Sequence, residues 1–351
     1  MTSPTQAVED GEGLHRGSFV LDLHTHGPGF VPQPFRVVWR GITIRAPAEV
    51  GFDALRKGGV DAAVAKAVGD PIVTRWHIRR TPWDAVEAQL ALIERQAGDA
   101  GARVARSVEG MTQARAQGVP AVVLGVEGAD AVGRDVDRID AWHERGVRVI
   151  VLVHLGDNPL GTTCMPWQRY AGPLPVRRHA SPGLSPIGRR VVERMNRLGV
   201  LVDVAHADRA TLLGVVDKAT APVVSSHTGA RALQDFARYL ADDELRAIAS
   251  TGGVVGLWPY RTRRFGVRDL SELIAHARHI ADTIGPEHLA VGTDMNGVPS
   301  LMAGYRGEGD LPKVTSALLA GGFSPQEVQG ILGANALRVL RQVESQARRA
   351  F

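Results

Sequence analysis

Eight short runs rich in apolar and β-branched residues recur along the chain: SFVLDLHTH, GGVDAAVAKAV, PAVVLGVEG, VRVIVLVHLGD, LGVLVDVAH, APVVSSHTG, GGVVGLWPY and HLAVGTDMN. Between them lie stretches whose apolar residues return every three or four positions, among them TPWDAVEAQLALIERQAG, SPIGRRVVERMNRLG, ADRATLLGVVDKAT and LSELIAHARHIADTIG. The first pattern predicts buried strands and the second predicts helices with one face on a core. Strands that alternate with helices run parallel, because each connection crosses back over the sheet. Eight such units favour a closed (β/α)8 barrel of the TIM type; an open doubly wound sheet would show similar local patterns, but no GxGxxG turn follows the first strand.

A chain of 351 residues is long for one core but ordinary for an elaborated barrel. We expect residues 1–17 to be an N-terminal extension and 18–351 a single α/β domain. Two Pro- and Gly-rich segments, 27–50 and 156–186, each follow a strand end, which predicts walls or a lid over the C-terminal face of the barrel. Hydrophobic residues make up 44% of the chain and charged ones 22%, enough apolar surface for a large core. The net charge of +4 arises from 41 basic and 37 acidic residues spread without a stripe, which argues against a nucleic-acid partner. Cys164 is the only cysteine, so neither an internal disulfide nor a CxxC metal site is available. The N-terminus carries acidic residues in place of a signal-type apolar run, and no stretch reaches transmembrane length. The expectation is a soluble, cytoplasmic protein with no membrane partner.

Chemistry enters at the strand ends. In LDLHTH, His24 and His26 are two apart, so on a strand both point to one face, here the mouth of the barrel. A lone strand histidine is most often an ordinary polar residue, but a pair at this spacing before a Gly-Pro-Gly loop reverses that reading. Glu127, after the apolar run VVLGV, places a carboxylate at another strand end, where burial demands a compensating charge. His206 and His227 repeat the placement after two further strands. Taken singly, each fits a cap or a hydrogen-bonded core residue. Together the five predict two metal ions, with His24 and His26 on one, His206 and His227 on the other, and Glu127 bridging them. Such a pair holds and activates hydroxide and polarises a carbonyl, as amide hydrolysis requires. A nitrogen-rich, carboxylate-bridged site suits Zn²⁺ first, two per chain, with Mn²⁺, Fe²⁺ or Co²⁺ as alternatives. Asp294, at the end of the last strand candidate, suits a proton carrier between attacking water and leaving amine, the bland alternative being a helix cap. His154 would point into the same mouth and donate to the oxyanion, unless it is simply structural.

These residues resemble the membrane dipeptidase (renal dipeptidase) family of zinc peptidases. The most specific stretches are GLSPIGRRVVERMNRLGVLVDVAHAD and APVVSSHTGARAL, and the order GVEG, VLVH, DVAH, SSH, GTDMNGV matches along almost the whole chain. The resemblance implies a TIM-type barrel, a bridging Glu127, His206 and His227 on the second ion, and His154 as a substrate or transition-state contact. It also implies that Asp294 shuttles protons, that Arg238 holds the substrate carboxylate and that Tyr260 lines the pocket, although GLWPY around Tyr260 differs from the family's aromatic-asparagine run. The first strand departs from the family, with His24-Thr25-His26 where His-x-Asp is usual. His26 removes one negative charge from the first site, which makes the centre more positive and favours a softer ion.

The expected activity is hydrolysis of a dipeptide or dipeptide-like amide with a free carboxylate, by attack of metal-bound hydroxide. Two alternatives stand beside it: the same site acting on a lactone, an N-acyl amino acid or a biosynthetic intermediate, and a non-catalytic binding protein that has lost metal. The expected partner is that small molecule. The resemblance also implies a possible homodimer.

Overall fold

The computed structural model describes residues 4–30, 48–75, 81–170, 175–176 and 178–349. Its strands are β1 (Leu21–Thr25), β2 (Ala62–Val68), β3 (Arg103–Val104), β4 (Ala121–Glu127), β5 (Val147–Val151), β6 (Leu201–Asp203), β7 (Val223–Thr228), β8 (Val255–Leu257) and β9 (Leu289–Val291). All pair in parallel in the order β2-β1-β9-β8-β7-β6-β5-β4, and β2 pairs again with β4 to close the ring. This is a closed eight-stranded (β/α)8 barrel, and its eight strands fall within the eight apolar runs. The two-residue β3 lies outside the ring and pairs with the start of β4, a stretch that β5 leaves free because its pairing begins at Leu124.

The amphipathic stretches form helices as their periodicity predicts, over Pro82–Asp99, Pro186–Leu198, Arg209–Lys218 and Leu270–Ile284. Their starts are fixed by side-chain caps from Thr81, Ser185, Asp208 and Asp269, which satisfy amide donors left free in the first turn. Apolar faces of these helices pack on outward-facing strand residues such as Val122, Leu124, Ile150 and Val202. The N-terminal segment is also helical, over Pro4–Gly17, and His15 ties it to the shell by contacts with Thr315 Oγ1 and the Gly58 carbonyl, both at 2.7 Å.

Inside the ring the packing is layered. Leu21, Val64, Val123, Leu201 and Val224 form one apolar cluster with Leu337, Leu340 and Val343 of the helix Asn335–Arg349. Side chains two residues on share a strand face, so Lys66 stands above Val64, Asp203 above Leu201 and Ser226 above Val224. All three are buried to within 1% of complete exclusion from solvent. The Ser226 carbonyl needs room as well: a Cβ at either Gly256 or Gly292 would collide with its oxygen. The barrel therefore rises from an apolar floor to a polar layer, and the candidate metal residues sit on top of that layer.

Candidate metal centre

His24 is on β1 and His26 directly follows it, with a register irregularity between Asp22 and Thr25. Their Nε2 atoms lie 3.2 Å apart, on one face as the spacing predicts. Glu127 ends β4 and His227 lies in β7. His154, His206 and Asp294, expected at strand ends, instead stand in the loops, three residues beyond the last residues of β5, β6 and β9. His206 and Asp294 adopt left-handed backbone, with φ of 66° and 52°. Such φ values are costly for residues with a Cβ and persist only where the surroundings over-determine them. For His206, Thr163 Oγ1 and the Cys164 amide both donate to its carbonyl, at 2.9 and 2.8 Å. For Asp294, its own amide donates to the His24 carbonyl at 2.7 Å.

Glu127 is the hub of the cluster. Its Oε1 lies 3.4 Å from His24 Nε2, 3.2 Å from His206 Nε2 and 3.8 Å from His227 Nε2, while Oε2 lies 3.3 Å from His26 Nε2 and 3.7 Å from His154 Nε2. Asp294 Oδ1 is 3.8 Å from His24 Nε2 and 3.4 Å from His26 Nε2, and its Oδ2 is 3.9 Å from His227 Nε2. A second close histidine pair is His206 Nε2 with His227 Nε2, at 3.1 Å. Three ligand groupings follow: His24, Glu127 and His227; His24, His26 and Asp294; and Glu127, His154 and His206.

The donor set fits cations. Glu127 Oε1 is buried and lacks a hydrogen-bond partner, an expensive condition for a carboxylate oxygen unless positive charge is near. Burial works against its ionisation, yet His154, His24 and His206 hold its pKa well below the ordinary range. Burial pushes His206 and His227 well below their usual pKa, helped by Arg238 in the first case and by His24 in the second, so both rings are kept neutral with a lone pair to give. Burial and Lys66 lower His24 likewise. For His26 burial is outweighed by Asp294 and Glu127, which push it up to about 9, a position that welcomes positive charge.

Beside the cluster, Arg238 is buried, with Nε and one terminal nitrogen unpartnered, and its guanidinium lies 5.0 Å from the Trp258 ring centroid. Tyr260 stacks on Trp258 at 4.1 Å, and Trp258 meets His227 edge-on at 5.2 Å. The far side carries Phe30, stacked on His26 at 4.2 Å. All nine residues singled out from the sequence are thus grouped around this centre. The remaining loop residues 31–47 lie outside the described residues. His276 accepts a hydrogen bond from the Ala230 amide at 2.9 Å.

The comparisons with known proteins give the family and the fold. A model of the membrane dipeptidase family, peptidase family M19, matches residues 9–350. The chain belongs to that family. Among curated relatives of this family member, dipeptidase tcpJ of Claviceps purpurea is 31% identical over 65% of the chain and 52% of the relative. Dipeptidase 3 of Homo sapiens is 27% identical over 95% of the chain and 67% of the relative. The chain thus spans about half to two thirds of the length of the curated relatives it matches. The probable dipeptidase PvdM from Pseudomonas aeruginosa shares the fold with a TM-score of 0.82 at 22% identity, covering 98% of this chain and 100% of that one. A metallo peptidase from Rhodobacter sphaeroides, solved with a phosphinate mimic of the dipeptide L-Ala-D-Ala, gives 0.74 at 21% identity over 93% and 99%.

Several residues of the centre were not singled out from the sequence. Asp70, Lys66, Asp203, Ser226 and Trp258 are buried partners of the residues above. Asp203 and Ser226 lie inside the stretches DVAH and SSH, and Lys66 is a charge inside the otherwise apolar run DAAVAKAV.

Proposed function

We infer that the chain is a binuclear metal-dependent hydrolase that cleaves a dipeptide or dipeptide-like amide with a free carboxylate. The observation that carries the reading is Glu127, a buried carboxylate ringed by five imidazoles with one oxygen unsatisfied. His24 and His26 would hold one ion, His206 and His227 the other, and Glu127 would contribute an oxygen to each; Zn²⁺ suits these ligands best. Bound there, divalent ions lower the pKa of water and polarise the scissile carbonyl. Arg238 supplies unpartnered donors for the substrate carboxylate, a match for the guanidinium fork. His154, turned toward the centre, donates from Nε2 to the oxygen that becomes negative in the tetrahedral state. Asp294, within 4 Å of three histidines, accepts the proton of the attacking water and returns it to the leaving nitrogen.

The test is a panel of L,L and L,D dipeptides incubated with metal-loaded protein beside a Glu127→Gln control. Hydrolysis lost in the control supports the reading; no hydrolysis above the control refutes it. A second reading, favoured by His26, keeps the centre but changes the substrate. Among the described residues, Glu127 and Asp294 are the carboxylates within 4 Å of the Nε2 atoms of the four ligand histidines, so a free α-ammonium finds little compensation there. An N-acyl amino acid meets the same Arg238 without carrying that charge. Turnover of N-acyl amino acids with silence on dipeptides would favour it.

A further inference from the structure

Three buried donors beside the centre have nothing to donate to: Nε and one terminal nitrogen of Arg238, and Nε1 of Trp258. The Arg238 donors have a use in the substrate carboxylate; the indole N–H has none. Both residues are 3% exposed, and the guanidinium lies over the Trp258 ring, 5.0 Å from its centroid. The free donors of the two side chains therefore lie within the breadth of one indole and one stacking distance of each other, a gap that a single carboxylate spans.

An indole N–H and a guanidinium can only donate, so what satisfies all three is an acceptor that the described residues do not supply. Buried N–H groups are nearly always paired, because each one left unpaired bears its full desolvation cost. Burial also opposes the Arg238 charge, and the groups that favour it, Cys164, Tyr170, Glu127 and Asp294, form no ion pair with it. The missing acceptor is therefore an anion. A carboxylate offers about four lone-pair sites on two oxygens; the guanidinium fork takes one on each and leaves room for a third donor. Trp258 is held where it can serve as that donor. Its ring stacks on Tyr260 at 4.1 Å and meets the His227 ring at 5.2 Å and 70°, so one rigid side chain touches both the carboxylate anchor and a histidine of the ion cluster.

We propose that Trp258 is a substrate-binding residue whose indole N–H donates, beside the two free donors of Arg238, to the carboxylate of the amide substrate. Its contact with His227 then fixes how far that carboxylate sits from the ion cluster, and so where the scissile carbonyl falls. This rests on the hydrolase reading above.

The experiment is steady-state kinetics of metal-loaded parent and Trp258→Phe, which removes the N–H but keeps an aromatic ring for Arg238, Tyr260 and His227. On dipeptides and N-acyl amino acids with a free carboxylate, the variant should show a KM raised roughly 10-fold, the usual effect of losing a hydrogen bond to a charged group, with kcat less affected and metal content by elemental analysis unchanged. On the same amides with the carboxylate replaced by hydrogen, the difference between parent and variant should vanish. Equal KM values on the free acids, or an equal rise on the decarboxylated amides, would overturn the proposal. Should Trp258→Phe not fold, ¹⁵N-indole spectra of the parent decide. One of the six tryptophan Nε1–H signals should move downfield when a product amino acid is added and stay in place with the corresponding amine; no signal that responds to the acid alone refutes the proposal. A parent that cleaves no such amide yet shows that shift removes the hydrolase reading and keeps the indole contact, whereas turnover in the parent with an unchanged Trp258→Phe removes only the contact.

Discussion

Asp70 Oδ2 stands 2.6 Å from His154 Nδ1, while the other oxygen of Asp70 accepts from the amides of Ile72 and Val73 at 2.7 and 3.1 Å. The helix start Pro71–Thr74 thus pins a carboxylate that in turn pins a histidine 84 residues away. With Nδ1–H given to Asp70, the ring presents Nε2 to the centre. Although burial opposes the charged ring, Glu127 and Asp70 together raise its pKa, which favours a proton on Nε2 as well. Asp70→Asn should lower kcat by no more than the ~10²–10³ that loss of an oxyanion donor costs, with metal content unchanged. Steady-state kinetics beside elemental analysis would check it, with His154→Ala as the lower limit.

Arg238→Lys should keep the charge but lose the fork. The expected result is a KM raised roughly 10-fold or more on substrates with a free carboxylate, with kcat less affected. The same substrates capped as C-terminal amides should react equally with parent and variant. Equal KM values on the free acids would mean that the guanidinium does not meet the carboxylate.

His26→Asp returns an anionic oxygen to a position between Glu127 and Asp294. The harder ligand should shift relative affinity from Zn²⁺ toward Mn²⁺ and raise turnover of dipeptides over N-acyl amino acids. Competitive metal loading and the ratio of the two kcat/KM values measure this directly.

Much of this molecule was legible before any coordinates. The eight barrel strands are visible because interior strands of a parallel barrel are apolar on both faces and bounded by turn residues. His24, His26 and Glu127 were legible because they stand at or next to strand ends, where periodicity fixes their direction. The exact seats of His154, His206 and Asp294 were not, since each lies three residues past a strand, held by loop hydrogen bonds that no periodicity encodes. Asp70 escaped for a different reason: its partner is remote in sequence, and its local pattern, Asp before Pro, reads only as a helix cap.

A pH effect on stability should centre on Asp130. Burial, with the charge of Asp70 nearby, pushes its carboxyl from 3.8 up to about 7. Between those values the folded chain keeps a proton that the unfolded chain releases, so this group favours folding below pH 3.8 and the advantage is lost as pH rises through about 7. Asp130→Asn, which retains an acceptor for Asn158 Nδ2, should remove that slope. Melting temperatures of variant and parent should diverge progressively from pH 4 to pH 7, in favour of the variant, by an amount on the order of a few kcal/mol in stability.

The collision that any Cβ at Gly256 or Gly292 would make with the Ser226 carbonyl has a consequence for how this scaffold can change. One missing methyl on β8, at Gly256, and one directly after β9, at Gly292, let the β7 peptide bond settle inward, and with it the side chains on either side of that bond. An alanine at either position would push on the hydroxyl and the His227 ring at once, and through the hydroxyl on His24. The reactive groups can diversify around the rim, loop by loop, but the seat on which they rest tolerates no added atom.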